Sequence, residues 1–189
     1  MTVDVGTSPV FTPGAVLNAA LSWRSLPYDA ELARTTFTLC SIGILLWTFL
    51  LYWGSYHHPI PATLAKPMSE KDKYIWRYRV VNVYHGASST LLSLYWYYAF
   101  YTTEYSRQNT YFELIMLANT GGYLLMDTVF LYTEGFLDTG NLIHHIFGFS
   151  VYYAIAYFQH DYTFMAMHLL PGEFSNVAMH GREIIKRQK

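Results

Sequence analysis

The sequence predicts an all-α protein, a multi-pass transmembrane helical bundle with four spans and a fifth, broken one. Apolar residues make up 52% of the 189 residues and charged residues only 13%, whereas a typical soluble domain carries about 25% charge. The charges are grouped, so long stretches carry none. These stretches do not alternate between polar and apolar residues, as the strands of a transmembrane β-barrel would. Helices are then the structure that satisfies the backbone in lipid.

The composition also excludes several classes of protein. Aromatic residues make up 19% of the chain, which excludes a disordered protein. A net charge of −1 provides no basic surface for nucleic acid, so nucleic acid is not an expected partner. Membrane lipids are the expected partners, because long stretches of the chain carry no charge. The single cysteine, Cys40, cannot form an internal disulfide, and its apolar surroundings do not suggest a zinc or redox motif.

The chain divides into an N-terminal tail at 1–34 and a transmembrane bundle at 35–189. In the tail, residues 10–23 could form an interfacial helix along the membrane surface or an ordered loop, and both interpretations stay open. The first span is predicted at 35–56, which has no charge and contains the run SIGILLWTFLLYW. The linker after it carries three prolines, which oppose helix formation.

Three further spans follow from the same criterion, because about 20 mostly apolar residues are needed to cross a bilayer. The second span is predicted at 80–103, which has no charge and ends in a run of aromatic residues. The third, at 114–132, carries one charged residue, Asp127. The fourth, at 141–159, has no charge but opens with two adjacent histidines.

The fifth span is predicted at 162–180 as a broken helix, since it contains Pro171, Gly172 and the charged Glu173. Lys and Arg collect on the cytosolic side of membrane proteins. Five spans place nine Lys and Arg on the side of the C-terminus and three on the other side, whereas four spans remove this bias. We therefore expect five spans, with a lumenal N-terminus and a cytosolic C-terminus.

Ionisable residues inside the predicted spans share one depth. His85, Asp127, His144 and His145 each lie three to five residues from the cytosolic end of a span, which is roughly 5–8 Å along a helix. Glu173 lies deeper in the fifth span. Buried ionisable groups are costly in a membrane and indicate a functional site. We predict that His85, Asp127 and at least one of the two adjacent histidines converge in one polar cluster.

Polar side chains also line up on helix faces, at steps of three and four residues. The three stripes are Asn82, His85 and Ser89; Asn119, Tyr123 and Asp127; and Glu173, Asn176 and His180. The stripes add Asn82 and Asn176 to the predicted polar cluster. The run of small residues that follows His85, and the pair Gly121 and Gly122, are interpreted as close helix contacts rather than as a nucleophile site.

Histidine beside a carboxylate can act as a general base, which suits acyl transfer. His144, His145, Asp127 and Glu173 are therefore the candidate catalytic residues. The alternative is that these groups hydrogen-bond to each other and hold the helices together. A di-iron site is disfavoured, because the eight histidines form no HxxxH or HxxHH box, and no metal is expected.

Four motifs, in this order, resemble the TLC-domain family of membrane proteins. They are WRYRVVNVYHGASST at 76–90, GGYLLMDTVF at 121–130, NLIHHIFG at 141–148 and GEFSNVAMHGREI at 172–184. The family includes ceramide synthases, which join an acyl-CoA to a sphingoid base in the endoplasmic reticulum, and lipid-homeostasis proteins without an established reaction. The resemblance implies that His144 and His145 are the family's double histidine, with Asp127 and Glu173 as its acidic residues.

The chain also departs from the family pattern. The paired aspartates that follow the double histidine in ceramide synthases are absent, and Val177, Ala178 and Met179 replace Pro-Phe-Leu. The family normally continues for about two more spans after this segment. We therefore expect a shortened member, in which a protein partner or a second copy covers the face of the missing spans.

Two functions follow from these observations. The first is a non-catalytic integral membrane protein that binds lipid or serves as an accessory or structural subunit of a membrane assembly. The alternative is a lipid-modifying, acyltransferase-like enzyme of the ceramide-synthase type, acting at the cytosolic face. Only this alternative requires a cofactor, acyl-CoA. The resemblance implies the endoplasmic reticulum or another endomembrane, and the mitochondrial inner membrane stays open.

Overall fold

The computed structural model describes residues 29–65, 68–100, 107–160 and 162–186, and the side chains of the last segment from residue 173 onward. Its helices are α1 (Ala30–His57), α2 (Ala62–Ala65), α3 (Glu70–Ala99), α4 (Tyr111–Thr133), α5 (Thr139–Phe158) and α6 (Tyr162–Lys186). The predicted all-α class is confirmed, since the described residues add only one isolated β-bridge. The predicted interfacial helix at 10–23 lies outside the described residues.

Two helices, α1 and α4, are long and apolar enough to cross a membrane. They differ in their surroundings, because α4 is mostly buried inside the bundle and α1 is mostly exposed. The most buried apolar side chains lie between the helices, and include Trp47, Leu51, Trp96, Leu114 and Phe130. Helix α4 therefore forms the centre of the fold.

Four helices begin before the predicted charge-free stretches, because polar caps stabilise additional turns, whereas α3 ends at Ala99, short of the predicted end at 103. Helix α1 begins at Ala30, five residues before the predicted start, since Asp29 accepts hydrogen bonds from the backbone amides of Glu31 and Leu32 at 2.9 and 3.0 Å. These bonds, above all that from Leu32, hold the pKa of Asp29 below its usual value. Helix α3 begins at Glu70, because Ser69 caps it in the same way.

Helix α6 corrects the prediction of a broken fifth helix. It runs without interruption from Tyr162 to Lys186, through Pro171 and Gly172. A proline removes one backbone donor from a helix, and packing against neighbouring helices can compensate for that loss. The sequence signal for a break was therefore local, whereas the continuity of the helix depends on its contacts.

Helices α1 and α4 lie side by side in the same direction and meet at glycines. A Cβ atom on Gly43 would collide with the backbone carbonyl of Ala118, and one on Gly122 would lie 2.7 Å from the carbonyl carbon of Gly43. Further along, Tyr52 hydrogen-bonds Thr133 at 2.9 Å. The predicted close packing is confirmed for Gly122, and it resembles the small-xxx-small contacts of membrane helices.

Helices α3 and α6 form a second close pair, which runs antiparallel. A Cβ atom on Gly86 would lie 2.9 Å from Val177 Cγ2 and 3.0 Å from the carbonyl oxygen of Glu173. At the other end of this contact, Arg79 lies beside His180. The absence of a side chain at Gly86 thus brings α6 close enough for its polar residues to reach α3.

One end of the bundle is tied by Gln159, which follows α5 in a left-handed conformation with φ of 64°. Its side-chain amide donates to the carbonyl of Asp29 at 2.7 Å, and its side-chain oxygen accepts from the amide of Asp29 at 2.9 Å. Its own carbonyl accepts from the amide of Asn109 at 2.9 Å. This single residue therefore links the starts of α1 and α4 to the end of α5.

We expect Gly122→Leu to lower the free energy of unfolding by about 3 kcal/mol or more, because the new side chain must push α1 away. Gly181→Leu is the matched control, since a Cβ atom there meets nothing within 4 Å. The measurement is unfolding of both purified variants in detergent micelles. Equal stability of the two variants would contradict the close α1–α4 contact.

Candidate functional site

Polar side chains from α3, α4, α5 and α6 meet inside the bundle. We call this set the polar cluster; it consists of Tyr78, Asn82, His85, Ser89, Thr120, Tyr123, Asp127, His145, Glu173, Asn176 and His180. Each helix contributes the face that it turns toward its neighbours. Two histidine–carboxylate pairs form the centre of the cluster.

The first pair joins α4 to α5. Asp127 is only 2% exposed, and its Oδ2 atom lies 3.6 Å from Nε2 of His145. The other carboxylate oxygen accepts a hydrogen bond from the Tyr78 hydroxyl at 2.9 Å, and Tyr123 also bonds this carboxylate. Helices α3 and α4 thus each supply a tyrosine hydroxyl to the same carboxylate. These two hydroxyls provide the hydrogen bonds that a buried carboxylate requires.

The hydroxyl of Thr128 defines the state of His145. It donates its single proton to the carbonyl of Leu124 at 2.7 Å and lies 3.0 Å from Nδ1 of His145. Nδ1 therefore carries a proton and donates to Thr128, which leaves Nε2 facing Asp127. The 3.6 Å between Nε2 and Oδ2 is an ion-pair distance rather than a hydrogen bond, and the contact is attractive only when one of the two groups carries a proton.

The second pair joins α3 to α6. Nδ1 of His85 lies 3.4 Å from Oε2 of Glu173, and both side chains are buried. The amide of Asn176 donates to the same oxygen of Glu173 at 3.3 Å. On the other side of the ring, Nε2 of His85 lies 3.1 Å from the hydroxyl of Ser89. The predicted stripe residues therefore orient both members of this pair.

Tyr123 links the two pairs. Its ring stacks on His85 with the centroids 3.5 Å apart and the planes at 10°, and its hydroxyl bonds Asp127. Trp47 of α1 packs edge-on against both rings at 5.2 Å. The aromatic packing fixes the plane of His85, so this imidazole cannot turn without displacing two neighbours.

His180 extends the cluster along the contact between α3 and α6. Nη1 of Arg79 lies 3.4 Å from Nδ1 of His180, and Nδ2 of Asn82 lies 3.5 Å from Nε2. Arginine can only donate, so Nδ1 is the acceptor and Nε2 carries the proton. With its amide flipped, Asn82 would accept a hydrogen bond from Nε2 of His180 through Oδ1, an atom that otherwise has no hydrogen-bond partner.

The structure brings together most of the residues proposed from the sequence and separates one. Those that meet in the cluster are Asp127, His145, Glu173, His85, Asn82 and Asn176. His144 is exposed on the outer face of α5, with its ring centroid 5.5 Å from that of His145. Adjacent helix residues diverge by about 100°, so only one of the two histidines can face inward. The catalytic role of these residues remains a prediction.

Tyr78 and Thr120 of the polar cluster, and Trp47 packed beside it, were not predicted from the sequence. Tyr78 lies four residues before Asn82, on the stripe that continues to His85, but it precedes the charge-free stretch that defined the span. Trp47 lies in the most apolar span, where nothing distinguishes it from lipid-facing residues. The stripe rule, extended through the whole helix, would have found Tyr78.

The arrangement can do two things chemically. It can fasten four helices to each other, or its histidine–carboxylate pairs can take up and release a proton. Within the described side chains, no group of three or more His, Cys, Asp and Glu residues is placed to hold a metal ion. Comparisons with protein-family models, curated proteins and solved structures find no match to this chain.

We expect His145→Ala to destabilise the bundle by about 3 kcal/mol, because it leaves the buried Asp127 without its imidazole. His144→Ala is the matched control and should change stability by less than about 0.5 kcal/mol, since that side chain is exposed. Unfolding in detergent micelles measures both. A destabilised His144 variant beside an unaffected His145 variant would contradict the assignment of the inward histidine.

Proposed function

We propose that this chain is a TLC-like integral membrane protein without catalytic activity, which binds lipid or serves as an accessory or structural subunit of a membrane assembly. The observation that carries the proposal is that the ionisable groups of the polar cluster face each other and are closed off from solvent. Each histidine–carboxylate pair joins two helices, and the members are buried; His85 is 1% exposed and Asp127 is 2% exposed. A general base needs an open side for its substrate.

The pairs support an adhesive role because they connect different neighbours. His85 and Glu173 link α3 to α6, Asp127 and His145 link α4 to α5, and Tyr78 links α3 to α4. Lipid provides no hydrophobic driving force between helices, so interhelical hydrogen bonds of about 0.6–2 kcal/mol each and close packing hold such bundles together. A set of bonds that joins four helices fits this need.

In this proposal all five long helices cross the membrane. Large apolar side chains are exposed on each of them, including Phe37, Leu45, Leu91, Ile115, Phe147 and Phe174. Helices α3 and α5 are rich in tyrosine and contain histidines, and tyrosine is favoured at membrane interfaces. The bundle thus buries its ionisable groups between the helices and exposes large apolar side chains, as a lipid-embedded protein requires.

The exposed apolar faces also indicate the partners. A soluble protein rarely exposes so many large apolar side chains, whereas lipid tails or the helices of a partner subunit cover them in a membrane. The endoplasmic reticulum or another endomembrane is the proposed location, on the basis of the resemblance to the TLC-domain family. Acyl-CoA has no role in this proposal.

An acyltransferase-like enzyme is the second candidate, and one observation favours it. Asp127 and His145 are buried and lie 3.6 Å apart, which is the pairing of carboxylate and imidazole that general acid–base catalysis uses. The reaction would transfer an acyl group from acyl-CoA to a lipid amine or hydroxyl, whose proton the pair would take. The two candidates make different predictions for conservative variants of the pairs.

Glu173→Gln separates the two candidates, because glutamine can keep a hydrogen bond to Asn176 and loses the charge. In cells, we expect this variant to assemble normally and to leave the acyl-lipid profile unchanged, as does His144→Ala, the exposed control. Purification in mild detergent followed by mass spectrometry should retain specific lipids or a partner protein with both variants. Normal assembly with an altered acyl-lipid profile would favour the enzyme.

The five-span proposal places the two chain ends on opposite sides of the membrane. We expect a tag at the N-terminus to be protected from protease in sealed microsomes and a tag at the C-terminus to be cleaved, because nine of the twelve Lys and Arg lie on the C-terminal side. A tag in the loop between α3 and α4 should be protected and is the internal control. Cleavage of both terminal tags would place both termini on the same side of the membrane and would contradict the five-span topology.

A further inference from the structure

A cation without a carboxylate lies in the contact between α3 and α6. Arg79 of α3 contacts His180 of α6, and the buried Asn82 lies one turn further along α3. We call these three residues the Arg79 site. They lie next to the two histidine–carboxylate pairs but take no part in either of them.

The guanidinium of Arg79 is only partly satisfied. Its Nη1 atom has one long contact, at 3.4 Å, and its Nε–H is buried with no hydrogen-bond partner. In the part of the chain that the structure describes, no carboxylate lies within 4 Å of it. The neighbouring Glu183 is bound to Lys186 at 2.9 Å. A buried donor without an acceptor costs about 1–3 kcal/mol, so the site favours a ligand that supplies oxygen atoms.

The chemistry of the site selects for an anionic oxygen group. Arginine only donates, and its planar fork matches the oxygens of a phosphate or carboxylate. Hydrogen bonds between a charged donor and a charged acceptor are roughly twice as strong as neutral ones. The nearby Glu183 is hydrogen-bonded to Lys186 and makes no ion pair with Arg79 within 4 Å, and Glu173 is paired with His85.

We propose that the Arg79 site binds a phosphate group, supplied by the headgroup of an anionic phospholipid. The inference rests on the proposed function, an integral membrane protein that binds lipid. Arg79 directly precedes the charge-free stretch 80–103, so in that topology it lies at headgroup depth. It is on the side that carries nine of the twelve Lys and Arg, which attracts anionic lipid. Free inorganic phosphate offers the same oxygen chemistry from solution.

The test measures lipid binding to the purified full-length chain in mild detergent by native mass spectrometry. Phosphatidylglycerol and phosphatidylcholine are added separately to the wild type, Arg79→Gln and Arg182→Gln. Arg182 is an exposed arginine on the same part of α6 and controls for general surface charge. We expect the wild type and Arg182→Gln to prefer phosphatidylglycerol by about tenfold, and Arg79→Gln to lose this preference. Arg79→Lys keeps the positive charge but lacks the planar guanidinium, so this variant should retain part of the preference for phosphatidylglycerol.

A second arm separates the two sources of phosphate. Inorganic phosphate is added without phosphatidylglycerol, and the thermal unfolding midpoint is followed for each variant. Stabilisation of the wild type but not of Arg79→Gln, without any lipid preference, supports the site and assigns it to soluble phosphate. An undiminished phosphatidylglycerol preference in Arg79→Gln, with native helix content by circular dichroism, overturns the proposal. So does the absence of both effects in the wild type.

The Arg79 site and the proposed membrane function can fail independently of each other. If the chain stays soluble without detergent, the membrane proposal fails, but the phosphate arm still tests the site. If the chain requires detergent, binds both lipids equally and is not stabilised by inorganic phosphate, the membrane proposal stands and the Arg79 site fails.

Discussion

The burial of Asp127 constrains the rest of the structure. A carboxylate in an apolar bundle requires partners for both oxygens, and these come from three helices: Tyr78 of α3, Tyr123 of α4 itself and His145 of α5. Because the acid lies near the end of α4, these partners fix how α3 and α5 are rotated about their axes. The orientation of α3 then determines where His85 points, and hence where α6 must bring Glu173.

The close helix contacts and the polar bonds depend on each other. The absence of a side chain at Gly86 lets α3 and α6 approach closely enough for His85 and Glu173 to lie 3.4 Å apart, and Gly43 and Gly122 bring the backbones of α1 and α4 together in the same way. Conversely, the polar bonds fix the rotation at which the glycines face each other. Packing supplies proximity and hydrogen bonding supplies specificity, which is the division of roles expected where the surroundings are apolar.

The sequence allowed the helical class and the main polar residues to be predicted, because charge-free length and spacing along one face are local signals. His85, Asp127 and Glu173 were found in this way. The rest depended on contacts between distant segments. The partner of Gly43 lies 79 residues away at Gly122, the continuity of α6 through Pro171 depends on neighbours, and the choice between His144 and His145 needs the rotation of α5.

The parallel contact between α1 and α4 has a consequence for biosynthesis. Gly43 leaves the ribosome 79 residues before Gly122, which at 5–20 residues per second is a delay of roughly 4–16 s. During this interval α1 has no native neighbour on its glycine face. It is long and apolar enough to cross a membrane and is less buried than α4, so its stability depends less on that partner. The chain order thus places α1, the less buried of the two packed helices, before α4, on which its glycine face packs.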